Sequence, residues 1–446
     1  MERLSEQVLA EIGALKDREV YGRVTKILGL LVEIAGVGET LSIGAHVHLR
    51  PDKIRVIPCE VVGFRDNHAL LMPFGTLEGV GLGCKAVIED KEPVILPSER
   101  WLGRVVNALG EPIDGKGALH HGARAIPLRN KPPLPHSRQR MGAQLDLGVR
   151  AVNSFLATCR GQRMGIFSGS GVGKSVLLSM MARYTEADIS VIGLVGERGR
   201  EVQEFLEDDL GEEGLARSVV VVATGDEPAL MRRQAAYATL AIAEYFRDQG
   251  KQVLCLIDSI TRFAMAQREI GLSAGEPPTS KGYPPTAFSE LSRLLERAGP
   301  GAPGQGSITG LFSVLVEGDD VNEPVADAAR GILDGHIVMR REIADRGRYP
   351  AIDVLKSVSR SLPDAIRPEQ FTILKRAKKV ITAYENMEEL IRLGAYRRGS
   401  DPAVDEALRL YPQIEEFLAQ NKDEQTSIEE GFQTLALILG MPYDVY

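Results

Sequence analysis

A glycine-rich segment between an apolar run and a helical pattern constrains this chain more than any other feature. Residues 166–175 read Ile-Phe-Ser-Gly-Ser-Gly-Val-Gly-Lys-Ser, which is the pattern of a strand end, a turn and the start of a helix. Glycines in such a turn allow successive backbone N–H groups to surround an anion, and the helix N-terminus adds unsatisfied donors. The segment therefore predicts a phosphate-binding loop.

The residues of this loop have separate predicted roles in holding a nucleoside triphosphate. Lys174 can reach the β- and γ-phosphates, and the Ser175 hydroxyl can be a ligand of Mg²⁺. The usual pattern begins with glycine, whereas Ser168 occupies that position here. The predicted nucleotide-binding residues of the loop are Ser168, Gly169, Ser170, Gly171, Val172, Gly173, Lys174, Ser175 and Val176. A purely structural turn is the alternative, and the strand–loop–helix context disfavours it.

Length and charge limit the classes of protein to which the chain can belong. A chain of 446 residues is expected to divide into two to four domains. Its formal net charge of −8 argues against a broad nucleic-acid-binding surface. The four cysteines contain no C-x-x-C pair and are expected to be reduced thiols. Without a predicted signal peptide or membrane span, we expect a cytoplasmic protein that reaches a membrane only through partners.

The N-terminal part of the chain changes from a helical to a β pattern. Leu4, Val8, Ile12 and Leu15 form one apolar stripe in residues 1–18. This helix can pack on its own chain or bind a partner, and the pattern does not decide between the two. Six short apolar segments then predict a small closed β-barrel. The predicted strands are 21–27, 30–34, 45–49, 53–63, 69–73 and 84–88.

Proline-rich segments at 110–115 and 131–136 predict connectors around a central domain. The nearby arginines, among them Arg124, Arg129 and Arg138, have no interleaved aromatic residues and are interpreted as part of a solvated linker. Between 145 and 364, apolar strands alternate with helical patterns, which is typical of a parallel α/β sheet. These strands are predicted at 164–167, 190–195, 218–223, 252–257, 308–316 and 335–339.

The predicted domains are a partner-binding helix at 1–18, a β-barrel at 19–92, a RecA-like ATPase domain at 93–366 and a helical domain at 367–446. Within the last of these, Gly394 and Gly399 separate one helix from the next. The predicted fold class is thus α/β, with a small N-terminal barrel, a central parallel-sheet P-loop domain and C-terminal helices.

Two carboxylates follow predicted strands of the sheet. Asp258 ends an apolar run and is the predicted metal-binding aspartate, which together with Ser175 would hold Mg²⁺. Glu197 follows another run and can orient the water that attacks a γ-phosphate. A surface carboxylate paired with Arg198 or Arg200 is the alternative for Glu197. Arg198 can itself touch the γ-phosphate.

Two further residues come late in the predicted ATPase domain. Tyr349 precedes a proline and can stack on an adenine face, whereas a core tyrosine is the alternative. Arg360 lies in a polar segment and is either a surface arginine or an arginine finger. The residues alone do not decide either case.

Several motifs together resemble the rotary ATP synthase β-subunit superfamily and, within it, the type III protein-export ATPases, most closely the flagellar branch. The motifs are residues 161–175, 193–201 (GLVGERGRE), 258–264 (DSITRFA), 281–285 (KGYPP), 317–320 (EGDD), 332–336 (ILDGH) and 349–353 (YPAID). Residues 262–269 (RFAMAQRE) and 394–401 (GAYRRGSD) are similar to the export branch specifically. The resemblance covers nearly the whole chain from Tyr21 onward.

The resemblance implies a homohexameric ring that hydrolyses Mg-ATP at its subunit interfaces. Lys174, Ser175, Glu197 and Asp258 match phosphate, Mg²⁺ and water-activating positions. Arg360 matches the finger donated by a neighbouring subunit, and Tyr349 in turn matches the adenine-stacking position. The N-terminal helix matches the segment that binds a stator-like regulatory protein. The C-terminal helices match those that meet a central stalk protein and chaperone–substrate complexes of the membrane export apparatus.

Three functions are compatible with this resemblance. The first is an ATPase for export of flagellar subunits, and the second is the ATPase of a virulence injectisome. Val172 favours the first over the second. The third is a nucleotide-binding structural subunit without catalysis, against which the presence of Glu197 argues. An RNA-translocating hexamer shares the sheet and barrel, but the acidic charge and the 5% aromatic content disfavour it.

Overall fold

The computed structural model describes residues 19–37, 40–89, 92–316 and 323–443. The predicted N-terminal helix and the 317–320 motif therefore lie outside the described residues. Within the described part of the chain, no helix is long and apolar enough to cross a membrane.

A closed six-stranded barrel forms the N-terminal part of the described chain, as predicted. Its strands are β1 (Tyr21–Leu28), β2 (Leu31–Ala35), β3 (His46–Arg50), β4 (Ile57–Arg65), β5 (His68–Pro73) and β6 (Lys85–Ile88), and they close in the order β1-β2-β5-β4-β3-β6. Alternate residues such as Val47, Leu49 and Val61 point inward and are fully buried.

The fourth barrel strand begins later than predicted. The sequence pattern places its start at residue 53, whereas β4 begins at Ile57. The Asp52 carboxylate accepts hydrogen bonds from the backbone N–H groups of Ile54 and Arg55, at 2.9 and 2.8 Å. This side-chain turn uses the backbone donors that a strand would need, so the ladder starts after it.

The central domain contains a sheet whose eight main strands run in the order β17-β16-β10-β15-β13-β11-β12-β8, with β14 paired only to β15. All neighbours on this path pair in parallel except β16 and β17. The strands of the domain are β7 (Val94–Ile95), β8 (Arg104–Asn107), β9 (Ile126–Pro127), β10 (Arg163–Ser168), β11 (Ile189–Val195), β12 (Ser218–Ala223), β13 (Gln252–Asp258), β14 (Gly299–Pro300), β15 (Ser307–Leu315), β16 (Gly335–Val338) and β17 (Val358–Ser359).

Helices cover both faces of this sheet. They are α1 (Arg150–Phe155), α2 (Lys174–Tyr184), α3 (Gly199–Glu204), α4 (Gly211–Ala216), α5 (Ala229–Arg247), α6 (Ile260–Ala274), α7 (Pro285–Leu295), α8 (Pro324–Ile332), α9 (Arg341–Asp345) and α10 (Leu362–Ala365), with a π-helical turn at Phe205–Leu210 between α3 and α4. On β12, Val219 and Val221 belong to the buried cluster that contains residues of α5, whereas Val220 and Val222 belong to the cluster that contains residues of α2. Burial on both faces explains the unbroken apolar runs in the sequence.

The C-terminal part of the chain is helical, with α11 (Pro368–Arg392), α12 (Pro402–Leu418) and α13 (Ile428–Leu439). The rings of Tyr384 and Tyr411 stack between α11 and α12 with centroids 3.8 Å apart. Asp146 in the sheet domain accepts a hydrogen bond from the first backbone N–H of α13, at Ile428, at 3.0 Å. The helical part is therefore fixed to the domain that carries the phosphate loop.

The interpretation of the connector arginines as a solvated linker is wrong for Arg129 and Arg138, whereas Arg124 and Arg140 are exposed. Arg129 donates to Glu60 of the barrel at 2.8 Å, and Glu60 is almost fully buried. Arg138 contacts Glu296, whose carboxylate lies 3.7 Å away, and Arg124 pairs with Asp248 at 2.7 Å. These arginines neutralise carboxylates on the elements around them, so the connector packs against both the barrel and the sheet domain.

Candidate active site

The glycine-rich segment forms a loop between β10 and α2. Gly171 and Gly173 have φ angles of +76° and +84°, a region that residues with a Cβ avoid. Arg341 of α9 donates to the carbonyl oxygen of Ser170 at 2.8 Å and holds the outer turn of the loop. Ser168 ends β10, is fully buried, and its hydroxyl has no hydrogen-bond partner among the described residues. A serine thus fits where glycine is usual, since its small side chain is enclosed behind the loop.

Lys174 and Asp258 meet at the carboxyl edge of the sheet. Lys174 is the first residue of α2, and Asp258 is the last residue of β13. The Lys174 ammonium donates to Asp258 Oδ1, and the Ser313 hydroxyl of β15 donates to the same oxygen. Both charged side chains are at least nine-tenths buried. Carboxyl ends of parallel strands place ligand-binding groups together in this way.

Glu197 lies beside this pair, just past the end of β11. Its Oε1 is 3.9 Å from Lys174 Nζ and is a buried atom without a hydrogen-bond donor among the described residues. Burial, with a further contribution from the Asp258 charge, raises the pKa of Glu197 to about 7, against the opposing effect of Lys174. Glu197 is therefore not the surface carboxylate of the alternative interpretation, and its pKa suits a group that exchanges a proton near neutral pH.

Magnesium fits the oxygen groups at this edge. Among the described residues, no cluster of three or more His, Cys, Asp and Glu side chains could hold a metal ion by itself. Mg²⁺ usually takes one or two carboxylates and completes its shell with substrate phosphates and water. Asp258 and the exposed hydroxyl of Ser175, the second residue of α2, supply oxygen donors of this kind.

A cavity of about 390 Å³ opens beside the loop. Tyr349 lies on its wall and is 47% exposed, so it is not a core tyrosine. A side chain at Gly173 would begin 3.3 Å from the Tyr349 ring, which places the ring directly against the phosphate loop. The cavity is lined by Gly173, Val176, Leu177, Met180, Gly347, Tyr349, Pro350, Ala419, Gln420, Asn421 and Lys422. The planar base of a nucleotide can occupy this cavity while the phosphates of the same nucleotide lie on the loop.

Arg198 and Arg360 lie away from the cluster of Lys174, Glu197 and Asp258. The Arg198 side chain is exposed and lies 3.8 Å from Glu201. Arg360 follows β17, whose Ser359 pairs with Gly335 at the start of β16, and Gly335 pairs with Met164 of β10. Arg360 is thus at the amino edge of the sheet, about 13 Å of strand from the end of β10. It cannot reach the phosphate loop of its own chain.

Arg360 lies in a wide groove of about 870 Å³ at this amino edge. Arg138, Arg140 and Arg163 also line the groove. The Arg360 side chain is exposed, and its guanidinium has no ion-pair partner within the described ranges. The Arg360 charge is therefore open to solvent, and its contacts alone do not decide between a surface arginine and a finger.

Sequence reasoning missed Arg262 and the C-terminal wall of the cavity. Arg262 of α6 packs on Gly196, where a Cβ would come within 2.9 Å of its side chain, and its Nε is buried without a partner among the described residues. It also lines a second cavity next to Gly169 and Ser170. Its position in the 258–264 motif was the available signal. For residues 419–422, no local pattern indicated that they reach the phosphate loop.

Comparison with known proteins identifies the family. Residues 148–359 match the model of the ATP synthase alpha/beta family, nucleotide-binding domain, and residues 366–436 match that of the T3SS EscN ATPase C-terminal domain. The flagellum-specific ATP synthase of Caulobacter vibrioides is 58% identical over 441 residues, which are 98% of this chain and 99% of that protein.

Two solved structures have the same fold. The assembled ATPase EscN from the type III secretion system of enteropathogenic E. coli is 40% identical, with a TM-score of 0.88 over 94% of this chain and 100% of that one. EscN in complex with its central stalk EscO is 39% identical, with a TM-score of 0.86 and the same coverage. The predicted barrel, parallel-sheet and helical architecture is confirmed, and the chain belongs to the ATP synthase alpha/beta family, in the branch of the type III export ATPases.

Proposed function

We propose that this ATPase hydrolyses Mg-ATP at the carboxyl edge of its central sheet to drive protein export by the flagellar type III apparatus. The observation that carries the proposal is the cluster of Lys174, Glu197 and Asp258 at the end of β13 and β11. A buried base next to a phosphate-binding lysine is what hydrolysis of a γ-phosphate requires. A nucleotide-binding subunit without catalysis would have no need for Glu197.

In this proposal the phosphate loop binds the phosphates of the nucleotide and the cavity binds its base. Residues 168–176 surround the phosphates, with Lys174 on the β- and γ-oxygens, and Tyr349 stacks on the adenine. In the structure Lys174 donates to Asp258. The phosphates of a bound nucleotide would compete with the Asp258 carboxylate for the Lys174 ammonium. Ser175 and Asp258 would hold Mg²⁺, which supplies positive charge to the phosphate oxygens when bound.

Glu197 is the proposed general base in this site. Its free Oε1 can accept a hydrogen bond from a water molecule placed in line with the γ-phosphate. A pKa of about 7 means that the ionised, basic form is substantially present at neutral pH. Arg262 is a further candidate for the γ-phosphate, since its side chain lies beside Gly196 and Gly169.

A head-to-tail homohexamer would complete the site. In a heterologous interface each subunit presents a different surface on its two sides, so the amino-edge groove of one chain can face the phosphate loop of the next. Arg360 then serves as the arginine finger, and Arg198 is freed from Glu201 to approach the γ-phosphate. The assembled state of EscN supports this arrangement.

The proposed binding partners of this chain are based on the same related proteins. The EscN complex with its central stalk EscO supports a stalk protein as a partner of this chain, and we propose that it meets the C-terminal helices. We further propose that chaperone–substrate complexes bind the helical domain, that residues 1–18 bind a stator-like regulator, and that the ring sits in the cytoplasm against the membrane export gate. The domain boundaries at residues 18, 92 and 366 belong to the same proposal. High identity to a flagellum-specific relative favours the flagellar system over an injectisome.

Glu197→Gln is expected to bind Mg-ATP normally and to lose about 10²–10⁴-fold in kcat, because the amide keeps the shape of the carboxylate without its basicity. In the unmodified enzyme, kcat/KM should rise with pH through about 7 as Glu197 loses its proton, and this limb should disappear in the variant. Nucleotide affinity and phosphate release measured across pH test both statements.

Glu204→Gln is the matched control for this variant, because Glu204 is exposed on α3 and pairs with Arg200 at 2.7 Å. Its pH profile should equal that of the unmodified enzyme. Loss of nucleotide binding together with turnover in Glu197→Gln would show that Glu197 is structural.

The proposed function is tested by measuring ATP hydrolysis against protein concentration, with the mass of the protein in solution measured in parallel. A shared site predicts that specific activity rises as subunits associate. Absence of ATP hydrolysis at any concentration would refute the catalytic proposal. The choice between the two export systems is tested by complementation. The protein should restore motility in a strain that lacks the flagellar ATPase and should not restore effector secretion in an injectisome mutant.

A further inference from the structure

The ring of Tyr349 can stack on a base only if the backbone that carries it is held in place. The side chain is 47% exposed on the cavity wall, so packing around the ring does not fix it from all sides. A Cβ at Gly173 would lie 3.3 Å from the ring, which shows how close the ring is to the phosphate loop. The position of the ring therefore depends on the contacts that fix the backbone of residues 348–352.

Arg348 fixes this backbone from inside the protein. Its side chain is about nine-tenths buried. Its Nη1 donates to the carbonyl oxygen of Pro350 at 3.3 Å, and its Nη2 donates to that of Ile352 at 3.0 Å. The guanidinium thus turns back onto the residues that follow Tyr349. These charge-assisted hydrogen bonds hold the chain on both sides of the tyrosine.

The charge of Arg348 is neutralised by the C-terminal helical part of the chain. Its Nε lies 3.0 Å from Oε2 of Glu415 on α12. A buried guanidinium without a carboxylate partner is costly, so this ion pair ties the orientation of Arg348 to α12. The chain that follows α12 also contacts Tyr349 directly, because the backbone N–H of Gln420 donates to the Tyr349 carbonyl oxygen at 2.8 Å. Two contacts from the end of one helix therefore hold the tyrosine and its neighbour.

A second arginine connects the same two parts of the chain in a different way. Arg346 lies 3.0 Å from Oε1 of Glu388 on α11, and both side chains are partly exposed. Within the described ranges, its guanidinium makes no hydrogen bond to a backbone carbonyl of the 348–352 segment. Arg346 thus joins the helical part to the sheet domain without holding the backbone of Tyr349.

We propose that Arg348 is a positioning residue for binding of the base, and that its ion pair with Glu415 makes α12 part of the nucleotide site. The inference rests on the proposed function, because it needs Tyr349 to stack on the base. Neither Arg348 nor Glu415 touches the nucleotide in this arrangement, and both act through Tyr349. Loss of a base–aromatic stack lowers affinity by about 5- to 150-fold, which sets the upper limit of their effect.

Arg348→Met keeps the apolar length of the side chain and removes the guanidinium. We expect it to weaken Mg-ADP binding by about 5- to 50-fold. The KM for ATP should rise with little change in kcat, since base contacts are made equally in the ground and transition states. Glu415→Gln keeps the shape of the partner without its charge and should weaken binding by about two- to fivefold. Arg346→Met is the matched control and should leave the affinity unchanged.

Two comparisons separate positioning of Tyr349 from a general effect on the fold. Pyrophosphate carries the phosphates of ADP without the base, so its affinity should be the same in Arg348→Met and in the unmodified protein. In a protein that already carries Tyr349→Ala, adding Arg348→Met should cause little further loss of ADP affinity, because the contact that it positions is already absent. Calorimetric titration with Mg-ADP and Mg-pyrophosphate, together with thermal unfolding, provides these values.

Three results would overturn the inference: unchanged ADP affinity in Arg348→Met, an equal loss of pyrophosphate affinity, or a full additional loss in the Tyr349→Ala background. If Arg348→Met does not fold, Glu415→Gln alone and together with Tyr349→Ala decides by the same criteria. If the unmodified protein binds ADP but releases no phosphate from ATP, the proposed function fails, whereas the affinities still decide the role of Arg348.

Discussion

Arg360→Ala is expected to leave Mg-ATP affinity nearly unchanged and to lower kcat by about 10³–10⁵-fold, which is the usual contribution of an arginine finger. The physical reason is the position of Arg360 at the amino edge of the sheet, where it cannot touch the phosphates held by its own chain. Its charge acts only on the transition state in a neighbouring subunit. The variant should therefore lose turnover without losing nucleotide.

Arg140→Ala provides the matched control, since Arg140 lines the same groove and is also exposed. We expect it to retain activity within about tenfold of the unmodified enzyme. Equal losses in the two variants would mean that the groove acts only through its total positive charge. Full activity in Arg360→Ala would remove the finger assignment.

Lys174→Ala is expected to abolish detectable ATP hydrolysis, a loss of at least about 10³-fold, while the protein remains folded. Lys174 contributes the positive charge nearest to the transferring phosphate, in a buried site where charge stabilisation is strong. Its removal also leaves Asp258 and Glu197 without their shared cation, so the repulsion between these carboxylates increases.

Phosphate release at saturating ATP and thermal unfolding together test this expectation. Lys251→Ala is the control, because Lys251 is an exposed lysine directly before β13 with no role in the proposed site. Turnover in Lys174→Ala equal to that of the control would refute the assignment of the phosphate loop. Loss of the folded state would instead identify the lysine as a structural counter-ion of Asp258.

Local sequence patterns predicted most of the sheet because its strands are buried on both faces. Apolar runs such as the one that ends at Asp258 can be recognised as strands without knowing which distant residues pack against them. The short edge strand Arg104–Asn107 was not predicted, since four residues next to a turn carry little periodicity. The bonding of Asp52 to Ile54 and Arg55 also displaced the start of β4, and only the turn geometry reveals this.

The charged residues of the connector and the wall of the base cavity depend on contacts far apart in the sequence. Arg129 meets Glu60, and Arg138 meets Glu296, across 69 and 158 positions. Gln420 hydrogen bonds to Gly148 across 272 positions. No local pattern encodes such pairs, whereas the glycine-rich loop and the 258–264 motif are local and were identified. The roles of the predicted site residues stay predictions until turnover is measured.

Mixing Arg360→Ala protein with Lys174→Ala protein tests the shared site most directly. Each variant alone should be inactive, but some interfaces in the mixture would join an intact phosphate loop to an intact finger. ATP hydrolysis should therefore reappear on mixing, reach a maximum near equal proportions, and remain absent when Lys174→Ala is mixed with a protein that carries both substitutions. If the mixture stays as inactive as its components under conditions in which labelled subunits exchange, or if a strictly monomeric sample hydrolyses ATP, the site is not shared between subunits.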